Sequence, residues 1–136
     1  MIGIIVLYIL IVFIFCIYIS YKFYKRVKKK ELNDTLANLQ KITANFPFLE
    51  DKDFIYNLIS QEKYGDIHYL QYKEYCEMLF GFVETTYDFY KSEKKMLDFC
   101  DFKSWIRNHK ALWNKYSYRY EYSTKVKHMI DNWLKD

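Results

Sequence analysis

The longest apolar stretch of the chain lies close to its N-terminal end. The sequence from 2 to 21, IGIIVLYILIVFIFCIYISY, contains no charged side chain. About 20 apolar residues in a helix span about 30 Å, the thickness of the hydrocarbon core of a bilayer. A core helix in so small a protein would have a polar face, and a signal peptide would carry its positive charge before the apolar run. The pattern therefore predicts a transmembrane helix from residue 2 to about residue 21.

Beyond this segment, apolar residues recur three or four positions apart instead of alternating, which is typical of helices. Glycine is scarce, and hairpin-type turn dipeptides are absent from the sequence. The first helix is expected to continue to about Asn45 and to end at Asn-Phe-Pro-Phe, because Pro47 disfavours the helical conformation of the residue before it. The apolar side of this continuation consists of Leu32, Leu36, Leu39 and Ile42.

The remaining pattern predicts several shorter helices and one long one. A short helix begins near Asp51, and the longest soluble helix runs from about Asp66 to about Lys91. After a polar break at 91–95, Asp101 caps a further helix that is expected to extend to about Tyr120. A last amphipathic helix covers about 123 to 134. The predicted fold class is all-α: one N-terminal transmembrane helix continuing into a compact cytosolic bundle of four or five helices.

Two features of these helices make specific structural predictions. The sequence places Gly81 inside the longest soluble helix, where it weakens the helix and allows a neighbouring helix to approach closely. The three tryptophans share helical faces with other apolar residues, so we expect them to lie substantially in the core: Trp105, Trp113 and Trp133.

The formal net charge is +4, but the charge is unevenly distributed. Basic residues cluster directly after the apolar segment, and every acidic residue lies at position 31 or later. The positive-inside rule then places the N-terminus outside and the C-terminal domain in the cytosol, as in a single-pass protein of the cell inner membrane. We expect the basic cluster to contact the membrane surface and its anionic headgroups: Lys22, Lys25, Arg26, Lys28, Lys29 and Lys30.

This charge pattern also suggests a division of the chain. Residues 1–30 form the anchor with its basic flank, and residues 31–136 form one helical domain. Without the six clustered cations, 21 − 6 = 15 basic residues face 17 acidic ones, so the domain is near neutral. Nucleic acid is not an expected partner, because a nucleic-acid-binding domain carries a basic surface of its own.

No motif of an enzyme or cofactor-binding protein is present. Cys16, Cys76 and Cys100 form no Cys-x-x-Cys pair, and we expect them to be reduced. Arg107 and His109 are too close together for the Arg and His pair of helical ribonucleases. His109 shares a helical face with Trp105, Leu112, Trp113 and Tyr116, so it is interpreted as a packed, hydrogen-bonded core residue. His68 and His128 belong to no metal-ligand pattern. We therefore predict no catalytic residue, no metal and no cofactor.

The layout of anchor, basic junction and short aromatic helical domain resembles uncharacterised bacterial single-pass membrane proteins, some found near phage-defence or mobile-element genes. The resemblance rests on layout and composition alone and implies no site residue. The first functional hypothesis is a non-enzymatic, membrane-anchored interaction module that binds a protein partner or copies of itself. The alternative is a small membrane-acting effector or toxin.

Overall fold

A computed structural model describes residues 1–61, 65–115 and 121–135, and over these residues the protein is all-helical, as predicted. Its elements in chain order are α1 (Ile2–Asn45), a 3-10 helix (Pro47–Glu50), α2 (Lys52–Ser60), α3 (Ile67–Tyr90), α4 (Glu93–Phe99), α5 (Phe102–Arg107), α6 (Lys110–Lys115) and α7 (Thr124–Trp133). By its internal contacts the chain divides into two compact units, Met1–Asp34 and Thr35–Asp136.

The first unit consists of helix alone. Every side chain from 1 to 27 is exposed, and this part of α1 is long and apolar enough to cross a membrane. Farther along α1, the predicted apolar stripe is confirmed in its burial: Leu32 and Leu39 are buried, and Leu36 and Ile42 are half-buried.

The second unit is built around α3, which follows its predicted limits closely. The side chain of Asp66 accepts a hydrogen bond from the His68 amide at the start of the helix, and Lys91 adopts the left-handed conformation (φ 51°) at its end. Such caps satisfy backbone groups that have no partner within the helix. The apolar surface of α3 is wide, as expected for a central helix: Tyr69, Tyr72, Tyr75, Cys76, Leu79, Phe80, Phe82 and Val83 are all buried.

Helix starts elsewhere in this unit also match the sequence. Asp51 accepts from the Phe54 amide and caps α2, and Asp101 accepts from the Ser104 amide and caps α5. Ser123 caps α7 in the same way. Short polar side chains before an apolar run therefore located the helix starts correctly.

Two predictions about helix boundaries are wrong. The helix expected from Asp101 to about Tyr120 stops at Arg107 and resumes at Lys110, because the amides of Asn108 and His109 bond three residues back and tighten the chain into a turn; Tyr116 and Tyr120 lie outside the described residues. The helix α4 was not predicted at all. It begins inside the expected polar break, where the hydroxyl of Ser92 accepts from the Lys95 amide. Six α-helices therefore follow α1 in the described part of the chain, instead of four or five.

Gly81 and the tryptophans give further corrections. A Cβ atom added to Gly81 would meet no atom of the described residues within 4 Å, so none of the described helices makes the close approach that this glycine allows. Trp113 and Trp133 are buried as expected, whereas Trp105 is only half-buried. Its indole nitrogen is drawn toward a polar group, which is the centre of the site described next.

Candidate functional site

A cluster of polar side chains lies inside the second unit, around the carboxylate of Glu50. Glu50 is the last residue of the 3-10 helix, and its side chain is 27% exposed. The other members come from three distant parts of the sequence: Tyr72 and Tyr75 on α3, Trp105 on α5 and His109 in the turn before α6. We call these five residues the Glu50 network.

One oxygen of Glu50 is the common acceptor. The hydroxyl of Tyr75 donates to Oε1, and the indole Nε1 of Trp105 donates to the same atom over 2.7 Å. Nε2 of His109 lies 3.1 Å from it. Trp105 Nε1 also lies 2.9 Å from the Tyr75 hydroxyl oxygen, so donors from three elements are gathered at a single carboxylate oxygen.

The other ring nitrogen of His109 continues the network into the core. Nδ1 lies 2.9 Å from the hydroxyl of Tyr72. When Glu50 is ionised and the imidazole is neutral, Nε2 donates to the carboxylate, and Nδ1 accepts from Tyr72. Carboxylate, imidazole and phenol thus form one continuous chain of hydrogen bonds.

Burial and hydrogen bonding set the ionisation of these groups. Burial alone would raise the pKa of Glu50, but hydrogen bonds from His109, Tyr75 and Trp105 lower it below its ordinary value. Burial is the main reason that the pKa values of Tyr72, Tyr75 and Cys76 are raised far above their ordinary values. The network therefore holds Glu50 as a carboxylate and the phenols of Tyr72 and Tyr75 as neutral donors.

The order carboxylate, imidazole, hydroxyl is also the order of groups that activates a nucleophile in hydrolytic triads. Here the terminal hydroxyl belongs to Tyr72, which is fully buried, as are His109 and Cys76. A raised phenol pKa also makes Tyr72 a poor nucleophile. The geometry is that of a satisfied polar cluster that fixes the 3-10 helix, α3 and α5 to one another.

An apolar cleft of about 210 Å³ lies beside the network, and Tyr75 belongs to both. Its polar lining comes from Gln71 and Glu74 of α3. The remaining walls are apolar and come from α1, the 3-10 helix and α3: Ile42, Phe46, Leu49 and Met78. We call this feature the α3 cleft.

The predicted membrane-contact residues all lie on α1 in the first unit. They are exposed except Lys28, which is half-buried and donates to Glu31 over 2.7 Å. The ammonium groups of Lys22 and Lys25 each lie 5.0 Å from the ring centre of a tyrosine one turn earlier, Tyr18 and Tyr21. Because the set occupies just over two turns of one helix, it forms a single band of positive charge: Lys22, Lys25, Arg26, Lys28, Lys29 and Lys30.

The other residues considered at the sequence level are dispersed. His68 is exposed beside Asp66, with 3.1 Å between Nδ1 and Oδ1, and His128 is exposed on α7. The cysteines are free: Cys16 is exposed, Cys76 is buried and Cys100 is half-buried. Over residues 1–61, 65–115 and 121–135, no three His, Cys, Asp or Glu side chains lie together as a metal site would require.

The sequence predicted part of this site and missed its centre. His109 is a buried, hydrogen-bonded core histidine, as interpreted from its neighbours on the helical face. Glu50 stands beside Asp51 in an acidic run that resembles a helix start, where acidic residues suit the positive end of the helix dipole. Its partners lie 25 to 59 residues away, and nothing in the local pattern points to them.

Comparison of the whole chain with models of known protein families, with curated proteins and with solved structures finds no match.

Proposed function

We propose that this protein is a single-pass membrane protein whose helical second unit is a non-enzymatic interaction module on the cytosolic side. The observation that carries the proposal is the exposure of the first part of α1, where every apolar side chain from 2 to 21 is uncovered. An exposed apolar surface of this size is strongly unfavourable in water. A bilayer is the environment that covers such a helix completely.

The band of positive charge that follows supports the orientation. It lies at the end of the apolar stretch, where cytosolic lysines and arginines normally flank a transmembrane helix. Tyr18, Tyr21, Phe23 and Tyr24 are exposed beside it, and aromatic rings favour the boundary between lipid and water. We propose that this band contacts anionic headgroups.

The α3 cleft is the surface that we propose for the partner. Among the described residues outside the first unit, the exposed large apolar ones are Phe46, Tyr56, Ile67, Leu70 and Met78. Phe46 and Met78 line the cleft. Ile67 and Leu70 lie on α3, as Met78 does, and their spacing continues the stripe formed by Gln71, Glu74 and Met78. Exposed apolar residues gathered in this way are typical of a protein-binding surface.

The charge of the cleft favours one kind of occupant. Glu74 is its one acidic lining residue among the described residues, and no basic residue lines it there. In a two-fold dimer centred on the cleft, the two Glu74 carboxylates would face each other, which is unfavourable. We therefore propose a different protein, one that presents an amphipathic helix with an apolar ridge beside a lysine or arginine.

The anchor is tested by membrane fractionation and topology mapping. We expect the full chain to stay with the membrane pellet after alkaline washing and a reporter fused to the C-terminus to be active in the cytosol. Removal of residues 2–21 should release the protein. A periplasmic C-terminus or a soluble full chain would contradict the proposal, and depolarisation by the anchor segment alone would favour a membrane-acting effector.

The partner surface is tested by crosslinking in cells with matched variants. Met78→Glu and Leu70→Glu place a charge on the α3 stripe, and Tyr56→Glu places the same charge on an exposed aromatic residue outside the cleft. We expect one crosslinked protein to be lost with the first two variants and kept with Tyr56→Glu. A crosslink between copies of this chain, lost in the same way, would replace the heterologous partner with self-association.

A further inference from the structure

A second surface feature of the second unit differs from the α3 cleft in size and charge. It is a groove of about 470 Å³ between α2 and the α5–α6 region. Lys52 and Tyr56 come from α2, and Arg107 and Lys110 come from the other side. Its other lining residues are Ile55, Asn108 and Ala111. We call this feature the basic groove.

The charge of this groove is unlike that of the unit around it. Its lining contains three cationic side chains and, among the described residues, no acidic one. The region beyond residue 30, by contrast, contains 15 basic and 17 acidic residues, counted by subtracting the six clustered cations from 21. A concavity lined by cations has a positive potential that attracts anions.

Two of the cations are held in place by α7. Nε of Arg107 donates to the carbonyl oxygen of Trp133 over 2.9 Å, and Nζ of Lys110 donates to that of Leu134 over 2.7 Å. These bonds suit the negative end of the α7 dipole. A lysine has three N–H donors, so the bond of Lys110 to one carbonyl is compatible with further bonds to a ligand. Fixed side chains lose little entropy when a ligand binds.

Lys52 is the cation of the basic groove that a purely structural role does not explain. The C-terminal end of α7 accounts for the positions of Arg107 and Lys110. It does not account for Lys52, an exposed residue in the first turn of α2. Its presence on the opposite wall gives the groove charge on both sides.

We propose that the basic groove binds a phosphate ester. A phosphate group has oxygen atoms for several donors, and arginine matches it with paired N–H groups. Ile55, Tyr56 and Ala111 provide an apolar wall for the organic part of the ester. The ligand is a small soluble phosphate ester or the headgroup of an anionic phospholipid, since both present the same group. The site is separate from the α3 cleft and does not depend on the function proposed for it.

The test measures lysine acetylation by mass spectrometry. The full chain is placed in nanodiscs of neutral phosphatidylcholine at constant ionic strength. One arm adds inorganic phosphate or glycerol 3-phosphate, and the other replaces part of the lipid with phosphatidylglycerol. We expect acetylation of Lys52 and Lys110 to slow several-fold in at least one arm, as expected for ammonium groups engaged in charge-assisted hydrogen bonds. Lys125, exposed on α7 outside the groove, should react at an unchanged rate.

Matched variants complete the test. Lys52→Gln should remove most of the protection of Lys110, because losing one charge-assisted contact weakens binding by about tenfold. Lys125→Gln should leave it unchanged. Protection in the soluble arm identifies a free phosphate ester, and protection only with phosphatidylglycerol identifies a lipid headgroup. Equal slowing of Lys52 and Lys125, or no slowing in either arm, would overturn the proposal. Repeating the soluble arm with the protein in non-ionic micelles makes the result independent of whether α1 inserts into a bilayer.

Discussion

Two buried regions pack against α3, and they are held together by different forces. The first is an aromatic cluster in which Trp113 meets Phe80 edge to face, with 5.0 Å between ring centres, and stacks on Tyr122 at 5.8 Å. The second is the Glu50 network. Trp113 and His109 are both fully buried, yet the indole of Trp113 makes one hydrogen bond, to Asp131, whereas the imidazole of His109 is bonded through both ring nitrogens.

This difference decides how each region responds to substitution. The aromatic cluster is stabilised by buried area and ring contacts, which depend on volume and shape. The Glu50 network is stabilised by donors that share one acceptor, so the loss of that acceptor leaves several polar groups without a partner. Substitutions in the aromatic cluster should therefore cost stability in proportion to the number of atoms removed. Substitutions in the Glu50 network should cost stability according to the number of hydrogen-bonding atoms removed.

The largest effect is expected from Trp113→Ala. Truncation of a fully buried tryptophan costs about 3 to 5 kcal/mol, because apolar contacts are lost and a cavity remains. Guanidinium unfolding of the full chain in non-ionic detergent micelles, followed by circular dichroism, measures this loss. Tyr56→Ala serves as the control, because this aromatic residue is 70% exposed and should change the free energy of unfolding little. Equal effects from the two variants would contradict the packing described for Trp113.

A smaller effect, of about 2 to 3 kcal/mol, is expected from Glu50→Ala, because donors of Tyr75, Trp105 and His109 lose their common acceptor. Glu50→Gln keeps an oxygen at the same position and should cost about 1 kcal/mol. The same unfolding experiment ranks the two variants. If alanine and glutamine cost the same, the hydrogen bonds contribute little and packing alone holds this region.

The two regions also differ in how well the sequence predicts them. The aromatic cluster could be anticipated because Phe80 and Trp113 stand on apolar stripes with helical spacing, and each side chain only needs an apolar environment. The Glu50 network could not, because it depends on which donor meets which acceptor across 25 to 59 residues. The sequence did not predict the break at Asn108 and His109 either, because the turn that places His109 beside Tyr72 contains no proline or glycine.

The pH dependence of stability sharpens the comparison. The pKa of Glu50 is lower in the folded protein than its ordinary value of 4.5, so the folded state binds fewer protons than the unfolded one. Its contribution is complete above about pH 4.5 and is lost as pH falls through the lowered pKa. The difference in free energy of unfolding between wild type and Glu50→Gln should therefore shrink below pH 4.5. The pKa of Asp101 is also lowered, by its hydrogen bonds to Ser104. Asp101 is present in both wild type and Glu50→Gln, so it does not contribute to this difference in free energy of unfolding.

Trp113→Phe is the control for this measurement, because it alters the aromatic cluster and leaves the Glu50 carboxylate in place. Its difference from wild type should stay constant over the same pH range. A Glu50→Gln difference that is also independent of pH would show that Glu50 has the same pKa in the folded and unfolded states, and that the network does not stabilise its charge.

The smallest effect is an increase in stability from Gly81→Ala. Gly81 lies on α3, which carries Tyr72 and Tyr75 of the network and Phe80 of the aromatic cluster, and an added Cβ meets nothing within 4 Å. Alanine restricts the unfolded chain and favours the helix, so the free energy of unfolding should rise by up to about 1 kcal/mol. Because both regions rest on α3, the gain should be the same in wild type, Trp113→Ala and Glu50→Gln backgrounds. A loss of stability would mean that α3 has a close neighbour at this position, as the sequence alone suggested.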